Sequence, residues 1–234
     1  MLNMRASSPD RDTRSPRADS RRNREALLSH ATELMAERGP AVPLDEIAKA
    51  AGVGNATLYR HFPDRSDLLH AIAEQVMTLT AQAAERALDE ESQSFQALAR
   101  YLREAVRVRV AWVMPAIAST IARDNADLVA LRERSVNAIA KLIFNAQRDG
   151  AIRSDITFGD ISLLLIRLAR PLPPGQDRAS QDTVAQRHLA ILLAGLRPSA
   201  EPLPGMGLAL TDLRAPGPTP FVASQIESQG HEPN

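Results

Sequence analysis

Apolar residues recur along this chain at intervals of three and four positions, a spacing that is typical of amphipathic helices. The first predicted helix spans Arg21–Arg38, and Gly39 followed by Pro40 ends it. Two short helical patterns come next, at Leu44–Ala51 and at Asn55–His61. The N-terminal part of the chain is therefore predicted to hold three helices in close succession.

Helical spacing continues through the rest of the chain, and no sustained alternation of apolar and polar residues predicts a strand. Ser66 or Asp67 is expected to cap a long fourth helix. Pro115 cannot continue a regular helix, so the fifth helix is expected to end or kink near Met114. We therefore predict an all-α fold, with further helices at about residues 66–88, 92–113, 116–123, 128–148, 158–170 and 180–196.

Shifts in composition divide the chain into four parts. Residues 1–19 are rich in Ser, Pro, Asp and Arg and are predicted to be a disordered basic arm. Residues 20–80 hold the first three helices as one domain, whose central motif lies at about 43–62. Residues 81–197 are predicted to form a second, all-helical domain. Pro and Gly then become frequent in residues 198–234, which are predicted to be a disordered tail.

Composition and charge narrow the classes of protein. The chain has no Cys, so neither a disulfide nor a thiolate metal site is available. No apolar run reaches about 18 residues, and the N-terminus lacks the apolar stretch of a secretory signal; we therefore expect a cytoplasmic protein without a membrane span. The net charge is formally zero, but residues 1–24 carry seven Arg against three Asp. This basic arm either attracts an anionic partner or is a solvated leader.

The most informative segment is Leu44–Leu69, in which two short helices flank the turn Gly52–Gly54. The small side chains of Ala48 and Ala51 let the two helices approach closely. A glycine at the first position of the turn suits a left-handed backbone at a helix end. Asn55 is a better cap for the second helix than the glycine before it. Helix, tight turn and helix is the arrangement that presents one helix to the DNA major groove.

This segment resembles the TetR (tetracycline-repressor) family of bacterial regulators. The matching motifs are IAxxAGV at Ile47–Val53, LYxHF at Leu58–Phe62 and D[KR]xxLL at Asp64–Leu69, and an RExLLxxA pattern at Arg24–Ala31 precedes them. The resemblance covers about residues 20–80. It implies an N-terminal three-helix DNA-binding domain with a helix-turn-helix, followed by an all-helical regulatory and dimerisation domain.

The resemblance also implies which residues touch DNA, because the second helix of the motif is the recognition helix in this family. It places base contacts at Asn55, Ala56, Thr57 and Arg60, and phosphate contacts at Tyr59, His61 and Arg65. Arg60 is the best candidate for base readout, since a guanidinium can pair with both acceptors of guanine. Tyr59 could instead pack under the helix, and His61 could simply be exposed. Pro43 and Gly54 stand where the family usually has Ser or Thr, so two hydroxyls are missing.

The second domain is expected to bind a small-molecule effector and to form a homodimer. Large side chains that could line a cavity between its central helices are Tyr101, Trp112, Met114 and Phe144. Each of them could equally be ordinary core. The helices near 158–170 and 180–196 carry wide apolar stripes, which predict a four-helix bundle with a second subunit. The alternative is a core within one chain.

These observations favour a homodimeric repressor that a small-molecule effector releases from operator DNA. The alternative is a DNA-binding activator or constitutive factor with no effector, which would share every motif residue. An enzyme is not expected, because the sequence has no Gly-rich phosphate loop, no nucleophile motif and no paired acid and base. No cofactor is expected, and no acidic or His cluster has the spacing of metal ligands.

Overall fold

The computed structural model describes residues 16–39, 41–108, 125–169 and 177–208, and within these ranges it contains eight helices and no strand. The all-α prediction is therefore confirmed. The predicted kink at Pro115, the helix at 116–123 and the loop before the last helix lie outside the described residues. The helices are α1 Pro16–Arg38, α2 Leu44–Ala50, α3 Asn55–His61, α4 Arg65–Glu90, α5 Ser94–Val108, α6 Ala126–Arg148, α7 Phe158–Ala169 and α8 Arg178–Gly195.

A first hydrophobic cluster, here called the head cluster, joins α1, α2, α3 and the N-terminal half of α4. Its largest fully buried side chains are Leu27, Met35, Ile47, Leu58, Phe62, Leu68, Leu69 and Ile72. Each contributes about 1.5–3 kcal/mol through burial. This cluster is what holds the two helices of the motif against α1 and α4.

A second cluster, the body cluster, joins the C-terminal half of α4 with α5, α6, α7 and α8. Among its buried side chains are Leu98, Leu102, Leu142, Ile161 and Leu189. Helices α4 and α6 pack along each other and contribute to both clusters, because Leu128 at the start of α6 belongs to the head cluster. The two clusters are therefore bridged by a pair of long helices.

The start of α4 differs from the prediction. Asp64 is the N-cap, rather than Ser66 or Asp67, and its carboxylate accepts the backbone N–H of Asp67 at 2.9 Å. The Asp67 carboxylate in turn accepts the N–H of Asp64 at 3.4 Å. This reciprocal capping box satisfies two backbone donors at once, which explains why the cap lies two or three residues before the predicted position.

The first helix begins at Pro16, so residues 16–19, predicted as part of a disordered arm, are helical. Proline is well tolerated at the first helical position, where its missing N–H costs nothing. An ion pair one turn apart, between Arg22 and Asp19, supports the added turn. The apolar pattern could not reveal this turn, because it contains no Leu, Ile, Val, Met or Phe.

The predicted disorder of residues 198–234 is also wrong in part. Residues 198–208 are described, and they run back over the connector between α6 and α7. The rest of the predicted tail, residues 209–234, lies outside the described residues, as does the arm before residue 16. Among the helices that the structure describes, none is both long and apolar enough to cross a membrane.

Candidate nucleic-acid interface

The turn between α2 and α3 is set by backbone hydrogen bonds. The N–H of Gly52 donates to the carbonyl of Lys49 at 3.1 Å, and the N–H of Val53 donates to that of Ala48 at 3.0 Å. This geometry requires φ of +69° at Gly52, which a residue without Cβ adopts at little cost. Val53 is half-buried and packs against the head cluster. The turn therefore fixes the orientation of α3 relative to α2.

Gly54, with φ −75° and ψ 151°, is the N-cap of α3, and its carbonyl accepts the N–H of Thr57 at 2.9 Å. Asn55 is the first helical residue and not the cap, contrary to the expectation that its side chain would do the capping. No side chain caps α3 or α2, whose N-cap is Pro43. The missing hydroxyls noted in the sequence therefore leave two helix starts without a side-chain acceptor.

Helix α3 has a buried face and an exposed face. Leu58 and, directly after the helix, Phe62 are each 1% exposed and anchor α3 in the head cluster. The predicted DNA-contacting residues lie elsewhere: Asn55, Ala56, Tyr59 and Arg60 are exposed, and Thr57 and His61 are half-buried. Tyr59 is 52% exposed, so it does not pack under the helix. The structure thus gathers six of the seven predicted residues on one short, outward-facing helix.

Two of these residues are connected to each other. The guanidinium of Arg60 donates from Nη2 to the hydroxyl of Thr57 at 3.1 Å. This contact holds the Arg60 side chain along the exposed face of α3 and leaves other guanidinium N–H groups for a ligand. A guanidinium with fewer free rotamers loses less entropy when it binds.

The end of α3 is electropositive. Burial lowers the pKa of His61, and the positive charges of Arg24 and Arg60 lower it further. The guanidinium of Arg24, on α1, lies 5.4 Å from the centroid of the Phe62 ring. This cation–π contact ties α1 to the end of α3. The sequence placed Arg24 in a matching motif but gave no signal of this contact, which joins residues 38 positions apart.

Arg65, the seventh predicted residue, lies at the first position of α4 and is half-buried. Its Nη2 donates to the carbonyl oxygen of Val42 at 2.5 Å, just before α2. The Arg65 side chain therefore links the segment before α2 to the start of α4. Its predicted phosphate contact stays a prediction.

The predicted effector-binding residues do not form one site in the described part of the chain. Tyr101 is 3% exposed within the body cluster, and burial raises the pKa of its hydroxyl above the usual range. Phe144 is 62% exposed on α6 and lies outside the body cluster, and its predicted effector contact stays a prediction. Trp112 and Met114 lie outside the described residues.

A charged cleft of about 720 Å³, which no sequence pattern predicted, lies between α5 and α8. Its walls carry Arg100, Arg103 and Arg107 from α5 together with Glu104 and, from α8, Asp182. Several of these charges are paired at the surface, as Arg107 is with Glu104 at 3.1 Å. Within the described ranges, no group of three or more His, Asp or Glu side chains could hold a metal ion.

The fold and the exposed α3 define a helix-turn-helix protein with an all-helical body. Two family models match this chain: "Bacterial regulatory proteins, tetR family" at residues 27–72, and "Transcriptional regulator SbtR-like, C-terminal domain" at residues 93–198. The chain belongs to the TetR family, whose members are transcriptional regulators and not enzymes.

Individual relatives agree with this assignment. The chain is 46% identical over 66 residues to the HTH-type transcriptional repressor LfrR of Mycolicibacterium smegmatis, an alignment that covers 28% of this chain and 34% of the relative. The match thus spans about a third of the length of that curated relative. The structure of SCO0520, a TetR regulator from Streptomyces coelicolor, superposes with a TM-score of 0.52 at 29% identity, over 76% of this chain and 99% of that one.

The crystal structure of LfrR in complex with proflavine superposes with a TM-score of 0.53 at 24% identity, over 77% of this chain and 99% of that one. The sequence match to LfrR therefore covers only 66 residues, whereas the similarity of fold extends over most of both chains.

Proposed function

We propose that this protein is a sequence-specific DNA-binding repressor that acts as a homodimer and leaves its operator when a small-molecule effector binds the body. The observation that carries the proposal is the exposed face of α3. This face presents an amide, a hydroxyl, a phenol and a guanidinium on a helix held rigidly from behind by Leu58 and Phe62. Such groups hydrogen-bond base edges and phosphates.

The positive charge at the proposed DNA interface comes from a local cluster of side chains and not from the net charge of the chain. The chain has no net charge, but Arg60, His61 and Arg24 gather at the end of α3. A local cluster attracts phosphates within about 8 Å at physiological salt. We therefore expect modest affinity for random DNA and a specific affinity that depends on base contacts.

Dimerisation is proposed through the outer faces of α7 and α8. Ile191 on α8 is 63% exposed, and Leu192 and Ile166 are only partly buried. Burying such side chains against a second copy would contribute about 25 cal/mol per Å² of apolar surface. A two-fold dimer also presents two recognition helices to a near-palindromic site, as sequence-specific helix-turn-helix binding usually requires.

The bridge between the clusters gives the effector a way to act on α3. Glu85 on α4 and Arg134 on α6 form two parallel hydrogen bonds of 2.7 and 2.6 Å, so the C-terminal part of α4 is joined to α6. A ligand that binds the body better in one arrangement of α4 and α6 would shift the populations of the two arrangements. The separation of the two α3 helices in the dimer would change accordingly.

The test is a competition experiment with a labelled duplex from the protein's own promoter region. We expect unlabelled promoter DNA to compete at least about a thousandfold better than random DNA of equal length. Equal competition by the two would contradict sequence-specific binding. Transcription in vitro from the same promoter separates the candidates further: a fall on adding protein supports repression, whereas a rise supports the activator alternative.

A further inference from the structure

The segment after α8 is fixed to the connector that precedes α7. The backbone N–H of Arg153 in the connector donates to the carbonyl of Leu196 at 2.9 Å. The Arg153 side chain, 10% exposed, donates to both oxygens of Asp155 at 2.5 and 2.8 Å and to the carbonyl of Glu201 at 2.7 Å. Asp155 also accepts the N–H of Leu203 at 2.9 Å. The Arg153–Asp155 pair thus forms hydrogen bonds with the returning backbone at two residues, Glu201 and Leu203.

Further along, the returning segment reaches the first turn of α7. Thr157 and Asp160 cap this helix: the hydroxyl of Thr157 accepts the N–H of Asp160 at 3.2 Å, and the carboxylate of Asp160 accepts the N–H of Thr157 at 2.9 Å. The same hydroxyl lies 2.9 Å from the carbonyl oxygen of Leu208, to which it can donate. The capping group of α7 is therefore shared with the returning segment.

Two glycines allow the backbones to approach. A Cβ at Gly159, in the first turn of α7, would lie 2.2 Å from the carbonyl oxygen of Leu208. A Cβ at Gly207 would lie 2.3 Å from Cγ2 of Thr157. Glycine is the residue that permits such close approach of one backbone to another. The returning segment and the start of α7 are therefore closely packed, and each contributes a glycine at the point of contact.

The near end of the segment is anchored as well. The guanidinium of Arg197 lies 3.4 Å from the ring centroid of Phe95 on α5. The connector beneath the segment is itself fixed in the body cluster by Ile152 and Ile156. Most of the segment lies beyond residue 198, where the match to the family's C-terminal domain ends.

We propose that residues 197–208 form a clasp that fixes the N-terminal end of α7 against the body. The clasp joins α5, the α6–α7 connector and α7, and so restricts how α7 can tilt. Because α7 is one of the two helices of the proposed dimer interface, the clasp sets the geometry in which two subunits meet. This last step rests on the proposed function, whereas the clasp itself does not.

The test uses the full chain and follows hydrogen exchange at the backbone N–H of Leu203, which donates a hydrogen bond to the Asp155 carboxylate. We expect exchange at least about tenfold slower than in a free peptide. The Gly159→Ala variant places a methyl group against Leu208 and should abolish this protection, although the substitution lies 44 positions away. Asp155→Ala should abolish it directly. Gly195→Ala is the matched control, because its Cβ meets no atom within 4 Å, and it should keep the protection.

Exchange at the free-peptide rate in the unsubstituted chain, or full protection in Gly159→Ala, would overturn the clasp. Sedimentation then tests the link to assembly: we expect the dimer dissociation constant to rise about tenfold in Gly159→Ala and Asp155→Ala. An unchanged constant alongside lost protection would overturn that link. A chain that is monomeric at every concentration would instead contradict the proposed dimer, and the exchange result would still decide the clasp.

Discussion

At the level of single residues, helix α3 has one face that packs against the head cluster and one face that is exposed. Leu58 and Phe62 supply the packing, and Arg60 with Thr57 supplies an oriented hydrogen-bonding group on the opposite side. The sequence alone could assign these sides because a helix has a fixed period. It could not show that Arg60 bonds Thr57 or that Arg24 covers Phe62, since both contacts depend on rotamers and tertiary distance.

Replacing Arg60 by Ala should relax base preference rather than abolish binding. Loss of one bidentate contact to guanine costs about 1–3 kcal/mol of discrimination. Competition titrations with promoter and random duplexes measure this, and we expect affinity for random DNA to change little. Arg24→Gln is a useful comparison, because it removes a charge near α3 without removing a base contact. An equal loss on both duplexes for Arg60→Ala would contradict its role as a base reader.

His61 should couple DNA binding to pH. Its lowered pKa keeps the imidazole neutral in the free protein at pH 7. A phosphate within reach favours the imidazolium, so binding should take up a proton, and affinity should rise as pH falls from 8 to 6. His61→Gln should flatten this dependence, while His70→Gln, a half-buried position on α4 outside the proposed dimer interface, should preserve it. The same slope in His61→Gln and in the unsubstituted protein would exclude the contact.

At the scale of elements, helix bounds were predicted best where apolar periodicity defined them. The starts of α3 and α7 were predicted at Asn55 and Phe158, where the structure has them. The start of α4 was not, because several polar residues compete as caps and only the local backbone decides among them. Residues 198–208 were missed for a related reason: a segment rich in Pro and Gly shows no periodicity even when tertiary hydrogen bonds fix it.

The glycines of the α2–α3 turn provide a matched pair of substitutions. Gly52→Ala should lower the free energy of unfolding by about 1–2 kcal/mol, because the left-handed φ of +69° strains any residue with a Cβ. Gly54→Ser should raise it by a few tenths of a kcal/mol, because a Ser oxygen can cap α3. Urea titration measures both. Equal effects of the two substitutions would contradict the turn geometry.

At the scale of the whole molecule, the long pair α4 and α6 connects the head cluster to the body cluster. Leu128 lies in the head cluster, whereas Ile139 and Leu142 of the same helix lie in the body cluster. A change in the body can therefore reach α3 through rigid elements rather than through a flexible linker. The sequence indicated the length of both helices but not that α6 contributes to both clusters. A single Leu at the start of a helix does not show which cluster it will join.

The Glu85–Arg134 pair should contribute little to stability and should do so only above acidic pH. Hydrogen bonds from Arg134 lower the pKa of Glu85, so the contribution is present above the ordinary pKa of the carboxyl and is lost as pH falls below it. Because both side chains are well exposed, a double-mutant cycle with Glu85→Gln and Arg134→Gln should give only a small coupling at pH 7. A coupling that persists undiminished at pH 3 would contradict the ion pair.

Hydroxyl-radical footprinting of the protein's own promoter region shows whether two copies of α3 read one DNA site. We expect two protected patches whose centres lie about 34–36 Å apart, one turn of the double helix, at the protein concentration that saturates the site. The patches should fade together in the Arg60→Ala variant. A single patch, or weak protection spread evenly along the duplex, would rule out paired reading by two α3 helices.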